Sequence, residues 1–158
     1  MPRIPFNVVA SLPRRLGPPP KALPKDFCPT DADARSLFRK LWRMGSLSVM
    51  YTNPGRNVIR QKIREAFEES KKQPKKSQKD IRKQWERALN TKFFFEIATT
   101  RFGVEHSVIS NLSRIAAEDN RRTTQSLKGG VRNAQKDMRE EYDSVIQALN
   151  ESMGLSFH

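Results

Sequence analysis

A chain of 158 residues is long enough for one domain with appendages, yet only 36% of it is hydrophobic, below the roughly 45–50% usual for globular chains, so a core is expected over part of its length only. A formal net charge of +13 and a pI near 10.4 call for a polyanionic partner: nucleic acid, an anionic membrane or an acidic protein. The single cysteine, Cys28, excludes an internal disulfide and a cysteine-rich zinc site and implies a reducing compartment, and no apolar run approaches the roughly 18–20 residues that cross a bilayer.

The charge is unevenly placed. Residues 131–158 hold three basic and five acidic side chains, which leaves +15 on residues 1–130. Residues 1–25 carry Arg3, Arg14, Arg15, Lys21 and Lys25 and no acid, a composition shared with mitochondrial transit peptides. Seven prolines in the same stretch forbid the long amphipathic helix such peptides form. Residues 1–29 therefore read as an extended, basic, proline-rich arm, ordered by lying along a large partner as ribosomal extensions do.

The first helix is predicted from Thr30, with Thr30 and Asp33 at N-cap and N3 spacing. Ala34, Leu37, Phe38, Leu41 and Trp42 follow as one apolar stripe, and Arg35, Arg39 and Arg43 repeat every four residues beside it. Gly45 is expected to soften the helix end, and residues 46–51 are ambiguous. A second helix is predicted from Asn53-Pro54, with Asn as cap and Pro at the first helical position. Its apolar face is Ile59, Ile63, Ala66 and Phe67, its arginine row is Arg56, Arg60 and Arg64, and Pro74 should stop it after about Lys72. Residues 71–83 include seven basic side chains, among them Lys71, Lys72, Lys75, Lys76 and Lys79. They read either as a solvated loop and first turn or as a phosphate-binding patch. No aromatics interleave, which argues against stacking of single-stranded bases.

A third helix is predicted from Ser77, with Asp80 at capping-box spacing. Ile81, Trp85, Ala88 and Leu89 share one face, and Phe93, Phe94 and Phe95 widen it. At about 100° per residue three adjacent aromatics cannot face one way, so at least one should meet a fourth helix or a partner. The fourth helix follows Gly103, with Val104, Val108, Ile109, Leu112, Ile115 and Ala116 in phase. Gly129-Gly130 reads as a hinge. Beyond it Val131, Ala134, Met138, Val145 and Leu149 form a stripe on an otherwise charged segment, read as a docking helix over residues 131–153 and not as a core element. The fold class is thus all-α: a helical domain over residues 30–128, the arm before it and an additional helix after it.

Catalytic signatures are missing. His106 and His158 are the only histidines, and nothing near His106 suggests a nucleophile or an orienting carboxylate, so it reads as a surface or capping residue. Cys28 sits beside prolines with nothing to activate it. Glu68-Glu69 and Glu140-Glu141 are adjacent pairs that diverge on a helix. Gly129-Gly130 lacks a phosphate-loop pattern. A non-enzymatic protein is expected, with no metal and no cofactor of its own.

The run Ala34-Arg-Ser-Leu-Phe-Arg-Lys-Leu-Trp-Arg43 resembles the opening of the mitochondrial Leu-Tyr-Arg (LYR) family of adaptor proteins, with Leu37-Phe38-Arg39 at the signature triplet. Val58-Ile-Arg-Gln-Lys-Ile-Arg-Glu-Ala-Phe67 resembles the family's second helix, and a third helix with a downstream Phe also matches. The resemblance spans roughly residues 30–120, with Phe38 in place of the family's Tyr. It implies a three- to four-helix LYR-type bundle in the mitochondrial matrix. It also implies that the chain binds mitochondrial acyl carrier protein, whose 4'-phosphopantetheine arm delivers an acyl chain between the helices. On that resemblance the carrier meets Leu37, Phe38, Arg39, Arg43, Arg60 and Arg64, and the acyl tunnel is lined by Leu41, Ile63, Trp85, Phe93, Phe94 and Phe95. Arginine suits the carrier role because its guanidinium stays charged and binds oxyanions in two-pronged fashion. The destination is then a large mitochondrial assembly. The basic arm and lysine run favour the mitochondrial ribosome, with Arg14, Arg15, Lys71, Lys72, Lys75, Lys76 and Lys79 as candidate contacts to RNA phosphates. A respiratory complex or an iron–sulfur assembly pathway is the alternative the wider family offers, and an RNA-binding structural protein without a carrier is the reading outside it.

Overall fold

A computed structural model describes residues 19–72, 77–99, 103–123 and 129–157. Five helices, α1 (Asp31–Ser48), α2 (Gly55–Lys72), α3 (Gln78–Ala98), α4 (Val104–Thr123) and α5 (Gly129–Met153), account for most of them, with no strand among the described residues. The first four run alternately up and down. α1 packs on α2 and α3, and α4 packs on the same two helices. α5 lies antiparallel to α4: Arg139 pairs with Asp119 at 2.8 Å while Tyr142 reaches the Leu112 carbonyl at 3.5 Å.

The start of α1 is fixed by its first four residues. The Asp33 amide donates to the Thr30 hydroxyl at 3.2 Å and the Thr30 amide donates to the Asp33 carboxylate at 3.0 Å, a closed capping box. Hydrogen bonds from the Thr30 side chain and backbone hold the Asp33 carboxyl below its ordinary range. The predicted start of α2 is corrected, whereas α3 begins after Ser77 as expected but without the expected side-chain bond. α2 begins at Gly55, with the Thr52 and Pro54 carbonyls accepting from Arg56 and Val58, so Asn53 is not the cap. Ser77 precedes α3, but its side chain makes no capping bond. The Asp80 and Ile81 amides go to the Ser77 carbonyl instead.

The ambiguous stretch after Gly45 divides at Ser48. Met50 and Tyr51 then take left-handed backbone conformations (φ 55° and 57°), and their amides close the helix end on Leu47 and Ser46. A left-handed residue with a side chain is uncommon, and neither Gly nor Asn marks this turn. Gly45 does not soften the end. It is buried inside α1, where a Cβ would lie 2.7 Å from Cγ2 of Ile59, and its missing side chain lets α1 and α2 approach closely.

Leu37 and Leu41, Ile59 and Ile63, Phe94, Phe95 and Ala98, and Ile109 form the core, one set from each of the first four helices. Two elements depart from expectation. On α4, Ile109 and Ala117 are buried, whereas Ile115 and Val104 are exposed. On α5 the predicted docking stripe is split. Ala134, Met138 and Val145 face solvent, the latter two 57% and 58% exposed, while Ile146 is buried and Leu149 packs on the core. The side chain of Val131 lies outside the described residues. Gly129 and Gly130 begin α5 and do not stand apart from it as a hinge. The segment after α5 also enters the core: Leu155 is 2% exposed.

Candidate functional site: an apolar cavity beside an arginine seam

The bundle encloses a cavity of about 450 Å³. Asp31 from α1, Ser70 and Lys71 from α2 and Gln84 from α3 line it and are solvent-exposed, which places a mouth where those helix ends meet. Farther in, the walls are Leu37 and Leu41, Ile59 and Ile63, Trp85, Ala88 and Phe95, and Ile109 and Leu112. α5 and its tail add Tyr142, Ile146, Ser156 and Phe157. A volume of this size, mostly apolar but with Thr91, Ser113 and Ser156 among its walls, falls within the range of roughly 300–1,000 Å³ typical of small-ligand sites.

Of the residues expected to line a tunnel, Leu41, Ile63, Trp85 and Phe95 do so. Phe94 is buried but stands outside the lining, and Phe93 is half-buried and outside it as well. Three successive residues on α3 point in three directions, about 100° apart. Phe95 meets the cavity, and both Phe94 and Phe95 meet the Phe157 ring at centroid distances of 5.8 and 5.9 Å. Leu37, expected at a carrier surface, is buried on the cavity wall. Sequence reasoning missed the contribution of α5 and the tail entirely, because Ser156 and Phe157 carry no helical period to read.

Trp85 faces two ways. It lines the cavity and meets Phe27 edge-on, with centroids 5.5 Å apart. The Phe27 carbonyl accepts from Gln78 Nε2 at 3.4 Å. The end of the expected arm is thus fastened to α3. Cys28 is exposed.

A second feature runs along the outside of the α1–α2 pair. Phe38 packs edge-on against Phe67, with centroids 5.1 Å apart, and beside Trp42 at 5.4 Å. The Arg60 guanidinium lies over the Trp42 ring at 5.0 Å and that of Arg64 at 5.6 Å. Arg60 Nε donates to Ser46 Oγ at 2.9 Å, and Ser46, fully buried, donates to the Trp42 carbonyl at 2.7 Å. One indole therefore holds two cations side by side, an arrangement in which ring-quadrupole attraction offsets part of their mutual repulsion. Arg39 and Arg43 are exposed on α1, and neither makes an ion pair among the described residues. Arg56, first of the α2 row, differs: its Nε is buried and has no hydrogen-bond partner among the described residues.

Phe67 connects the two features, touching Phe38 on one side and lining the cavity on the other. Of the candidate phosphate contacts, Lys71, Lys72 and Lys79 are exposed, and Lys71 also edges the mouth. Arg14, Arg15, Lys75 and Lys76 lie outside the described residues.

His106, read from the sequence as a surface or capping residue, acts as a cap. Its Nδ1 donates to the carbonyls of Ser48 at 2.8 Å and Ala98 at 3.1 Å, and the ring is half-buried. Tyr142 is the titratable group on the cavity wall whose ionisation is displaced upward, first by burial and then by the charges of Asp143 and Asp119. Among the described residues no group of His, Cys, Asp and Glu side chains is placed to hold a metal ion, and no helix is long and apolar enough to cross a membrane. Comparison with protein-family models, curated proteins and solved structures finds no match to this chain.

Proposed function

We propose that this chain is a non-enzymatic adaptor of the LYR type, which binds an acylated acyl carrier protein in the mitochondrial matrix and attaches it to a large assembly. The observation that carries the reading is the joining of the two features above. An apolar cavity of about 450 Å³ reaches the surface among the ends of α1, α2 and α3, and Phe67 links its wall to a seam of arginines built on Phe38 and Trp42. A partner that is acidic and carries an apolar chain on a phosphorylated arm satisfies both at once. Arg39, Arg43, Arg60 and Arg64 would meet its carboxylates and phosphate, and the acyl chain would occupy the cavity. Each methylene moved from water into that cavity contributes about 0.8 kcal/mol, so a chain of about twelve carbons would add several kcal/mol to the stability of the complex.

Copurification from mitochondria followed by intact mass spectrometry tests the reading. A stoichiometric partner bearing acylated phosphopantetheine is the expected result. Its absence at low salt, with RNA retained instead, would replace the adaptor by an RNA-binding protein. Arg39→Glu should abolish carrier binding by setting an acid against an acidic surface, and wild-type affinity in that variant would remove Arg39 from the interface. The mitochondrial ribosome is the destination favoured by the +15 on residues 1–130. Sedimentation of the native protein with ribosomal particles, as against respiratory or iron–sulfur assemblies, decides that part.

A further inference from the structure

The segment that follows α5 is held by a series of hydrogen bonds. After α5, Gly154 turns the backbone with φ +60°, and its carbonyl accepts from Asn90 Nδ2 at 3.2 Å. The Leu155 amide returns to the Asn150 carbonyl at 3.1 Å. The Ser156 amide donates to Thr91 Oγ1 at 2.9 Å. Asn150 then grips Phe157 from both sides: its Nδ2 donates to the Phe157 carbonyl at 2.7 Å, and its Oδ1 accepts from the Phe157 amide at 2.8 Å. Ordering a residue costs about 1–2 kcal/mol of backbone entropy, and this tetrapeptide has no helix to share that cost. The anchoring buries Leu155 in the core and places the Phe157 ring.

That ring sits at the inner end of the cavity. The mouth is at Gln84 on α3 and Lys71 on α2. Phe95 lies eleven residues beyond Gln84 on the same helix, about 16 Å deeper at about 1.5 Å per residue. Phe157 touches Phe95 and lines the same cavity. The other groups at this level, Leu41, Ile59 and Ile109, belong to the bundle core. Of the residues that α5 and its tail bring to the cavity, Phe157 is the one whose ring packs on Phe95.

We propose that Phe157, latched by Asn150, is the stop that sets how long an apolar chain the cavity accepts. The inference rests on the reading that a linear acyl chain fills this cavity and adds what limits its length. The occupant is a single apolar chain, because the exposed lining residues gather at one end and the walls beyond them are mostly apolar. Phe157 acts by occupying volume, and Asn150 is a positioning residue that acts through it.

The test measures the affinity of the full chain for saturated fatty acids of eight to eighteen carbons by displacement of a fluorescent fatty acid. Wild type should show a maximum at one length, with longer chains falling away. Phe157→Ala should move the maximum to longer chains by several carbons, and Phe157→Trp should move it to shorter ones. Asn150→Ala, which frees the tail without shrinking the ring, should flatten the length profile and leave affinity for short chains within about threefold. Far-ultraviolet circular dichroism confirms that each variant is folded, and the opposite shifts of the Ala and Trp variants guard against simple loss of structure. A wild-type maximum that stays put in both Phe157 variants overturns the inference while leaving the cavity reading intact. Failure of the wild type to bind any length overturns the cavity reading, and the stop falls with it.

Discussion

The imidazole of His106, on the first turn of α4, donates from Nδ1 to the carbonyl of Ser48 at the last residue of α1, 2.8 Å away, and shares that proton with the carbonyl of Ala98 at the end of α3, 3.1 Å away. Carbonyl oxygens only accept, so the proton resides on Nδ1. The last carbonyls of any helix lack an intrahelical partner, and here one ring serves two helices and ties both to a third. His106→Ala should therefore leave two partly buried carbonyls unsatisfied and lower stability by about 1–3 kcal/mol. Urea unfolding followed by circular dichroism measures it. A change within about 0.5 kcal/mol would show that water replaces the ring at no cost.

Gly45 makes a prediction with the opposite sign from helix propensity. In an exposed helix Gly→Ala gains up to about 1 kcal/mol. At Gly45 the new methyl would lie 2.7 Å from Cγ2 of Ile59, 3.2 Å from Cδ1 of Ile63 and 3.4 Å from Cε2 of Phe95. Forcing a methyl into a filled interior costs about 1–3 kcal/mol, so Gly45→Ala should destabilise. Ile59→Ala alone should also destabilise by leaving a cavity. Combined, the two should cost less than their sum because the new methyl fills the space Ile59 vacates. Strict additivity of the four unfolding free energies would mean that α1 and α2 do not meet at this point.

These two residues mark where the sequence was readable and where it was not. Stripes at helical spacing gave the helices and most of the core, because Leu37, Leu41, Ile59, Ile63 and Phe95 are apolar residues in phase on long elements. Thr30 and Asp33 gave a helix start correctly, since a capping box depends only on residues three apart. The same spacing at Ser77 and Asp80 did not close, because the amides there are taken by the Ser77 carbonyl. Gly45 was misread because its role is set by Ile59, fourteen residues on. His106 was read as a surface or capping residue, but which helices it caps was not legible, because its partners belong to α1 and α3. Met138 and Val145 were in phase on α5 yet face solvent, while Ile146 turns inward, a choice of face that the period alone does not determine. Leu155–Phe157 could not have been found by period at all.

Trp42 should matter to the arginine seam beyond its own packing. Its ring supports Arg60 and Arg64, and Ser46 holds Arg60 from the other side. A cation over an indole contributes about 0.5–1 kcal/mol at an exposed site. Trp42→Leu keeps an apolar residue against Phe38 and removes the platform under both guanidinium groups. Affinity for an acylated carrier should fall by roughly tenfold, the sum of two such contacts, and the loss should appear in both low and moderate salt. Ser46→Ala should give a smaller loss through Arg60 alone. Calorimetric titration of carrier into each variant provides the comparison. Unchanged affinity in Trp42→Leu would mean that the two arginines need no support to bind.

Tyr142 predicts how the fold responds to alkali. Its hydroxyl lies on the cavity wall, 3.5 Å from the Leu112 carbonyl, and burial, aided by Asp143 and Asp119, raises its pKa above the ordinary 10.0. A phenol whose pKa is higher folded than unfolded binds its proton more tightly in the native state. Its contribution to stability is therefore complete below about pH 10 and is lost as pH rises from there through the folded value. Wild type should lose stability over that interval more steeply than Tyr142→Phe, which keeps the ring against α4 and has no proton to release. Near neutral pH the two should unfold within about 1 kcal/mol of each other, since a hydrogen bond at 3.5 Å is weak. Denaturant midpoints for both proteins from pH 7 to pH 11 isolate this phenol, since the two proteins differ in nothing else. Parallel curves across that range would show that Tyr142 reaches water in the folded state and that the wall formed by α5 is open there.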